Sequence, residues 1–147
     1  MKKRSGIILI EDNKLALIER RRADRHYFSF PGGGIDKGEN PQEAAIREAK
    51  EELGILVEIR QKVAVIVLWE KTQHYFLAKK ISGVFGTGTG AEYGEYNPAH
   101  GTYHPLWMPL ADVLTHNVLP RKLADLVVRS AKEGWPIEPV IIVDDKR

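Results

Sequence analysis

The sequence predicts a single mixed α/β (α+β) domain over residues 1–147, with a central mixed β-sheet between helices. Three observations predict it. Short β-prone runs recur along the chain, two amphipathic helices interrupt them, and 147 residues suffice for one core but not two. Ile7 to Ile10 and Leu15 to Arg20 read as a hairpin turned by Glu11-Asp12-Asn13-Lys14. Arg20 to Arg25 follows as a charged connection. Tyr27-Phe28-Ser29-Phe30 is then a brief aromatic strand, stopped by Pro31-Gly32-Gly33-Gly34, where either something approaches the backbone closely or the turn is sharp. The first helix is punctuated at both ends: Asn40 as N-cap, Pro41 at its first position, Glu43 three residues after the cap, and Gly54 just past Leu53. Val63 to Trp69 is apolar with little alternation, as expected of a central strand covered on both faces. His74 to Ile81 pairs with it across Glu70 to Gln73. Glycine-rich sequence from Gly83 to Gly101 shows neither period and reads as a long loop, of a length that tends to be functional or mobile. Leu106-Trp107-Met108 forms a short strand and Pro109 to Leu114 a brief helix. Pro120 to Lys132 forms a second amphipathic helix through Leu123, Leu126, Val127 and Ala131, stopped by Gly134. Val140 to Val143 adds an edge strand.

Composition narrows the chemistry. Twenty-two basic against 20 acidic residues give a net charge of +2, without the excess of a dedicated nucleic-acid binder, so no specific nucleic-acid partner is expected. Without cysteine there is no disulfide, thiolate metal site or thiol nucleophile, and any metal must be held by oxygen or imidazole. The apolar run Gly6 to Ile10 is too short for a signal peptide or a membrane span, so a cytoplasmic location is expected.

The first helix carries the strongest functional signal. At 100° per residue Gln42, Ile46, Ala49 and Leu53 share a core-facing stripe, and Glu48, Glu51 and Glu52 project together beside it. Like charges at i and i+4 cost an isolated helix roughly 0.2–0.5 kcal/mol, so Glu48 and Glu52 oppose helix stability. Arg47 can pair with Glu51 or Glu43, and nothing at helical spacing is expected to neutralise Glu48 and Glu52. A solvated acidic face is the bland alternative. A divalent cation is the sharper one, because clustered carboxylates are hard ligands suited to Mg2+ or Mn2+.

The surrounding residues decide between these. Gly33, five residues, Glu39, seven residues, then Arg47-Glu48-Ala49-Lys50-Glu51-Glu52-Leu53-Gly54-Ile55 match every fixed position of the pattern G-x5-E-x7-R-E-U-x-E-E-x-G-U, where U is apolar. The chain thereby resembles the Nudix hydrolases over residues 33–55, and more loosely elsewhere. The resemblance implies an α/β/α sandwich and a hydrolase acting on a phosphorus-containing anhydride. Water attacks phosphorus in such enzymes with the help of one or more divalent ions. It further implies Glu48, Glu51 and Glu52 as metal ligands, Arg47 orienting a carboxylate, and Gly33 and Glu39 supporting the site. Glu52 or Glu48 is the first choice of general base, and Glu92 and Glu95 in the glycine-rich loop are the second. Of Arg20, Arg21, Arg22 and Arg25, one or two are expected at substrate phosphates, with Arg25 among the candidates. At most one of Tyr27, Phe28 and Phe30 is expected to stack on a base, and Phe30 is a candidate. Tyr93, Tyr96 and Tyr103 could form an aromatic lid. His100 and His104 read as solvent-exposed. The chain looks most like the MutT-type enzymes, which convert a nucleoside triphosphate to a monophosphate and pyrophosphate. Two other readings are a hydrolase of nucleoside diphosphate sugars or dinucleoside polyphosphates, and a nucleotide-binding regulatory domain without turnover.

Overall fold

A computed structural model describes residues 2–88 and 101–144. Its strands are β1 (Lys2–Glu11), β2 (Lys14–Arg22), β3 (Arg25–Ser29), β4 (Gly32–Gly34), β5 (Ile55–Leu68), β6 (Lys71–Gly83), β7 (Thr102–Pro109), β8 (Val118–Leu119) and β9 (Val140–Val143). The helices are α1 (Pro41–Leu53) and α2 (Arg121–Glu133), and a 3-10 turn spans Leu110–Thr115. The strand order is β8-β3-β2-β1-β6-β5-β9, with β4 paired to β1 and β7 to β2. β1–β6, β5–β9 and β3–β8 are parallel and the other pairs antiparallel, so the sheet is mixed.

Strand periodicity places the two helices on opposite faces. Along β1, Ile7 and Leu9 pack with Ala45, Ala49 and Leu53 of α1, while Ile8 packs with Leu123, Leu126 and Val127 of α2. This is the expected α/β/α sandwich. The hairpin is the feature that positions the site. β1 and β2 pair only at Ile10↔Leu15 and Glu11↔Lys14, and then diverge. β1 continues against β4 and β2 against β7, so the sheet forks. Gly32 to Gly34 run along one tine, opposite Gly6 to Arg4, and lead into α1.

Several expectations need correction. The strand expected to be central, Val63 to Trp69, falls up to Leu68 within β5, which begins at Ile55 and lies one place in from the edge strand β9, while Trp69 is in the following turn. β1 occupies the middle of the order instead, buried from Ser5 to Leu9. The charged connection is mostly strand: β2 continues to Arg22 and turns through Ala23 and Asp24, with Ala23 at φ 55°. The glycines expected to turn the chain sharply or to admit a close approach also form β4. On α1, Gln42 is exposed, and the buried face is made by Ala44, Ala45, Ala49 and Leu53, with Glu52 beside them. The stripe is displaced because α1 lies close to β1 and β4, where alanine permits the approach. On α2, Ser130 is buried and Ala131 exposed. The brief helix after Pro109 is a 3-10 turn.

Candidate active site

The start of α1 is fixed by a reciprocal pair of hydrogen bonds. Asn40 Oδ1 accepts from the Glu43 N–H at 2.8 Å and Glu43 Oε1 accepts from the Asn40 N–H at 2.9 Å. Glu43 is therefore committed to the cap and not to Arg47. At the other end Gly54, at φ 75°, donates its N–H to Lys50 O. Between these stops lies the acidic face. Glu52 is 5% exposed and its Oε1 accepts from the Gly32 N–H at 2.6 Å, tying the helix to β4. Glu48 lies over Gly33, where a Cβ would sit 2.5 Å from the Glu48 carboxyl carbon. Glu51, more exposed, completes the group.

Arg47 organises these acids. Its Nε and NH2 donate to the two carboxylate oxygens of Glu39 at 2.8 and 3.0 Å, a bidentate pair. NH2 also donates to Gly34 O at 2.9 Å, and NH1 to Glu48 Oε1 at 2.9 Å and Glu51 Oε2 at 3.0 Å. The expectation that nothing neutralises Glu48 is thus overturned, because helical spacing alone overlooked the adjacent Arg47, whose long side chain reaches back over the helix start. The hydrogen bond to Glu39 raises the Arg47 pKa above its ordinary value, against the opposing effect of burial, and Glu48 adds to the rise. Arg47 is a permanent cation.

The same contact, with the Asp36 N–H donating to Glu39 Oε1 at 2.8 Å, holds the Glu39 carboxyl below its ordinary value of 4.5. A folded-state pKa lying below the unfolded one gives stability that is present above 4.5 and lost as pH falls through the lower folded value. Thermal melting followed from neutral pH into this acid range should show that loss, and Glu39→Gln should make the melting temperature less pH-dependent there.

Gly33 gives a second expected result. In Gly33→Ala the new methyl group meets the Glu48 carboxylate, which must swing aside. The flexible end of a side chain moves at little cost, so melting should change little while turnover falls; a full loss of fold would show that the backbone and not Glu48 sets the requirement.

The donor set has the chemistry of a divalent-ion site. Three carboxylates on one helix face, beside a glycine that leaves room for one of them, supply the hard oxygens that such an ion needs. Among the described residues, however, no three acidic or imidazole side chains stand together in an arrangement that would hold a metal. The Arg47 guanidinium sits between Glu48 and Glu51, so ion binding requires these side chains to regroup. The donor chemistry fits a divalent ion.

Other expected contacts divide. Phe30 is only 3% exposed and packs against Tyr75 in the core on the α2 side, so it does not face a ligand. Its place after β3 turns its ring inward. Arg25 is exposed, with its guanidinium 4.7 Å from the Tyr27 ring centroid. Tyr27, Arg20 and Tyr103 are direct cross-strand neighbours on β3, β2 and β7, and the Arg20 guanidinium lies 3.7 Å from the Tyr103 ring centroid. Ile18, two residues earlier on β2, packs in the α1-side core, so this row of rings and cations shares the α1 face. His104 is exposed, as expected. Trp107 is half-buried with its ring centroid 4.7 Å from that of Phe85. Glu92, Glu95, Tyr93, Tyr96 and His100 lie outside the described residues. Sequence reasoning missed Tyr75, whose buried hydroxyl donates to Gln73 at 3.0 Å and whose pKa burial pushes up to about 12. It also missed the Gly32 N–H as the partner of Glu52. The Gly32-Gly33 pair is the signal for that, since a bare backbone invites a carboxylate.

A mixed sheet between two helices, with a glycine-led loop delivering an acidic helix onto its fork, defines an α/β/α protein with a loop–helix–loop site. A family model described as NUDIX domain matches residues 1–127, and the chain belongs to that family. It is 49% identical over 53 residues to the 8-oxo-dGTP diphosphatase of Escherichia coli (strain K12), covering 34% of this chain and 40% of that protein. It is 44% identical over 55 residues to the RNA pyrophosphohydrolase of a Nitratiruptor species, covering 37% and 32%. The matched stretch thus spans less than half the length of these curated relatives. A solved NUDIX hydrolase from Nitrosomonas europaea shares the fold at a TM-score of 0.73 and 23% identity, over 97% of this chain and 79% of that one. No described helix is long and apolar enough to cross a membrane.

Proposed function

We propose that this chain, as a single Nudix domain, is a hydrolase that cleaves a diphosphate linkage in a small nucleotide with Mg2+, or Mn2+ in its place. A nucleoside triphosphate is the leading substrate, giving a monophosphate and pyrophosphate. The observation that carries the reading is that Glu52 and Glu48 of one acidic helix face lie against Gly32 and Gly33, with Arg47 spanning Glu39, Glu48 and Glu51. Glu48, Glu51 and Glu52 would hold the ion. When bound, it supplies charge neutralisation on phosphate oxygens and makes water more acidic.

The chain's own groups do the rest. Glu52 is held by the Gly32 N–H at one oxygen, a fixed orientation for a general base, and Glu48 is the alternative. Attack of water on phosphorus forms one P–O bond and breaks the bridging one; the proton of water passes to the carboxylate, and the departing phosphate carries the bond electrons. Arg47 fixes the direction of Glu48 and Glu51, and Glu39 fixes Arg47. The Tyr27–Arg20–Tyr103 row, with Arg25 at its edge, offers ring faces and guanidinium groups to a base and its phosphates. The E. coli relative supports a nucleoside triphosphate, and the Nitratiruptor relative favours a second reading, a pyrophosphate linkage carried by RNA.

Incubation with Mg2+ and a panel resolves these. The panel comprises ordinary and oxidised nucleoside triphosphates, a nucleoside diphosphate sugar, a dinucleoside polyphosphate and 5′-triphosphorylated RNA. Monophosphate and pyrophosphate from a free triphosphate support the proposal. Preferential turnover of the RNA or of the sugar nucleotide moves the substrate class, and no turnover of any member leaves a binding domain.

A further inference from the structure

A cavity of about 590 Å3 opens where the first residues of β1 and β6 meet the loop after β4. Its volume falls in the range of small-molecule sites, roughly 300–1,000 Å3. Lys2, Lys3, Arg4 and Lys71 line it, together with Asp36 and Glu39. The two acids are already engaged by Arg47, Glu39 at 2.8 and 3.0 Å and Asp36 at 3.4 Å. Among the described residues, Lys2, Lys3 and Lys71 have no carboxylate within ion-pair distance. The wall is therefore cationic in excess.

Strand register points the same way. Lys2 on β1 and Lys71 on β6 are direct cross-strand partners, with Lys3 opposite Thr72. Like charges placed opposite one another destabilise a sheet, and solvent screening softens that cost without reversing it. An anion would relieve this repulsion as a cation would relieve that of the glutamates on α1. Arg4 links the two places, since its guanidinium approaches Gly32 O at 3.4 Å and the Gly32 N–H holds Glu52.

We propose that this cavity is a metal-independent site for a phosphoryl group, formed by Lys2, Arg4 and Lys71, which alternate onto one face of β1 and β6, and separate from the carboxylates of α1. The phosphoryl group belongs either to free pyrophosphate or to the tail of a nucleotide. Neither case requires turnover, so the site stands or falls apart from the proposed hydrolysis.

The test is amide NMR of the whole protein in excess EDTA, titrated with inorganic pyrophosphate and, separately, with a nucleoside 5′-monophosphate. Saturable shifts centred on Ile35, Asp36 and Lys71 are expected. Removing one unit charge at contact distance in water weakens binding about fivefold, so Lys71→Ala and Lys2→Ala should each do so, without a fall in melting temperature, because both side chains are exposed and the cross-strand repulsion is relieved. Tighter binding of pyrophosphate assigns the free anion, and tighter binding of the monophosphate assigns a nucleotide tail. The proposal is overturned by the absence of saturable binding, by shifts centred on Gly33 and Glu48 to Glu52, or by affinities that the two lysine variants leave unchanged.

Discussion

Glu52→Gln is expected to lower kcat by about 10²–10⁴-fold, the range that a general acid or base contributes, with the fold intact. Glutamine keeps the shape and can still offer a carbonyl oxygen to the Gly32 N–H, so the tie between α1 and β4 survives. The negative charge does not. Loss of a charge from a nearly buried position on a crowded acidic face should, if anything, ease repulsion with Glu48, so catalysis and stability separate in this variant. Steady-state kinetics and thermal melting on the same preparation check this. Near-normal turnover would remove Glu52 from the mechanism, and a collapsed fold would make its role structural.

Arg47→Ala should act on both properties at once. It removes five hydrogen bonds to Glu39, Glu48, Glu51 and Gly34 and leaves three carboxylates facing one another. Arg47 and its carboxylate partners are partly exposed, so solvent screening keeps the loss of stability below that of breaking a fully buried ion pair. Arg47→Lys should recover little, because an ammonium cannot make the bidentate contact with Glu39. The variant carries an internal control: if these acids bind a divalent ion, Mg2+ should restore more melting temperature to Arg47→Ala than it adds to the unmodified protein. Equal shifts in both would show that Arg47 and the ion do not share the same carboxylates.

The boundaries of α1 were legible because they are local: Asn40, Pro41, Glu43 and Gly54 each act through a neighbour within four residues, and the helix begins and ends where they place it. The hairpin, α2 and β9 were legible from periodicity and stop signals in the same way. The fork was not. The separation of β1 from β2 after two residue pairs depends on β4 and β7 competing for the same edges, which no local pattern records. Phe30 was misplaced for a related reason, since strand alternation does not say which face meets α2. Arg47 was half legible. Its pairing with Glu51 follows from helical spacing, but its contacts with Glu39, Gly34 and Glu48 need the loop to fold back beside the helix.

The most direct test of the central claim is Mn2+ titration followed by paramagnetic broadening of amide signals. Saturable broadening centred on Gly32, Gly33, Glu48, Glu51 and Glu52, displaced by Mg2+ and weakened in Glu48→Gln, is the predicted result. Broadening spread over the surface, or centred away from α1, would contradict the account.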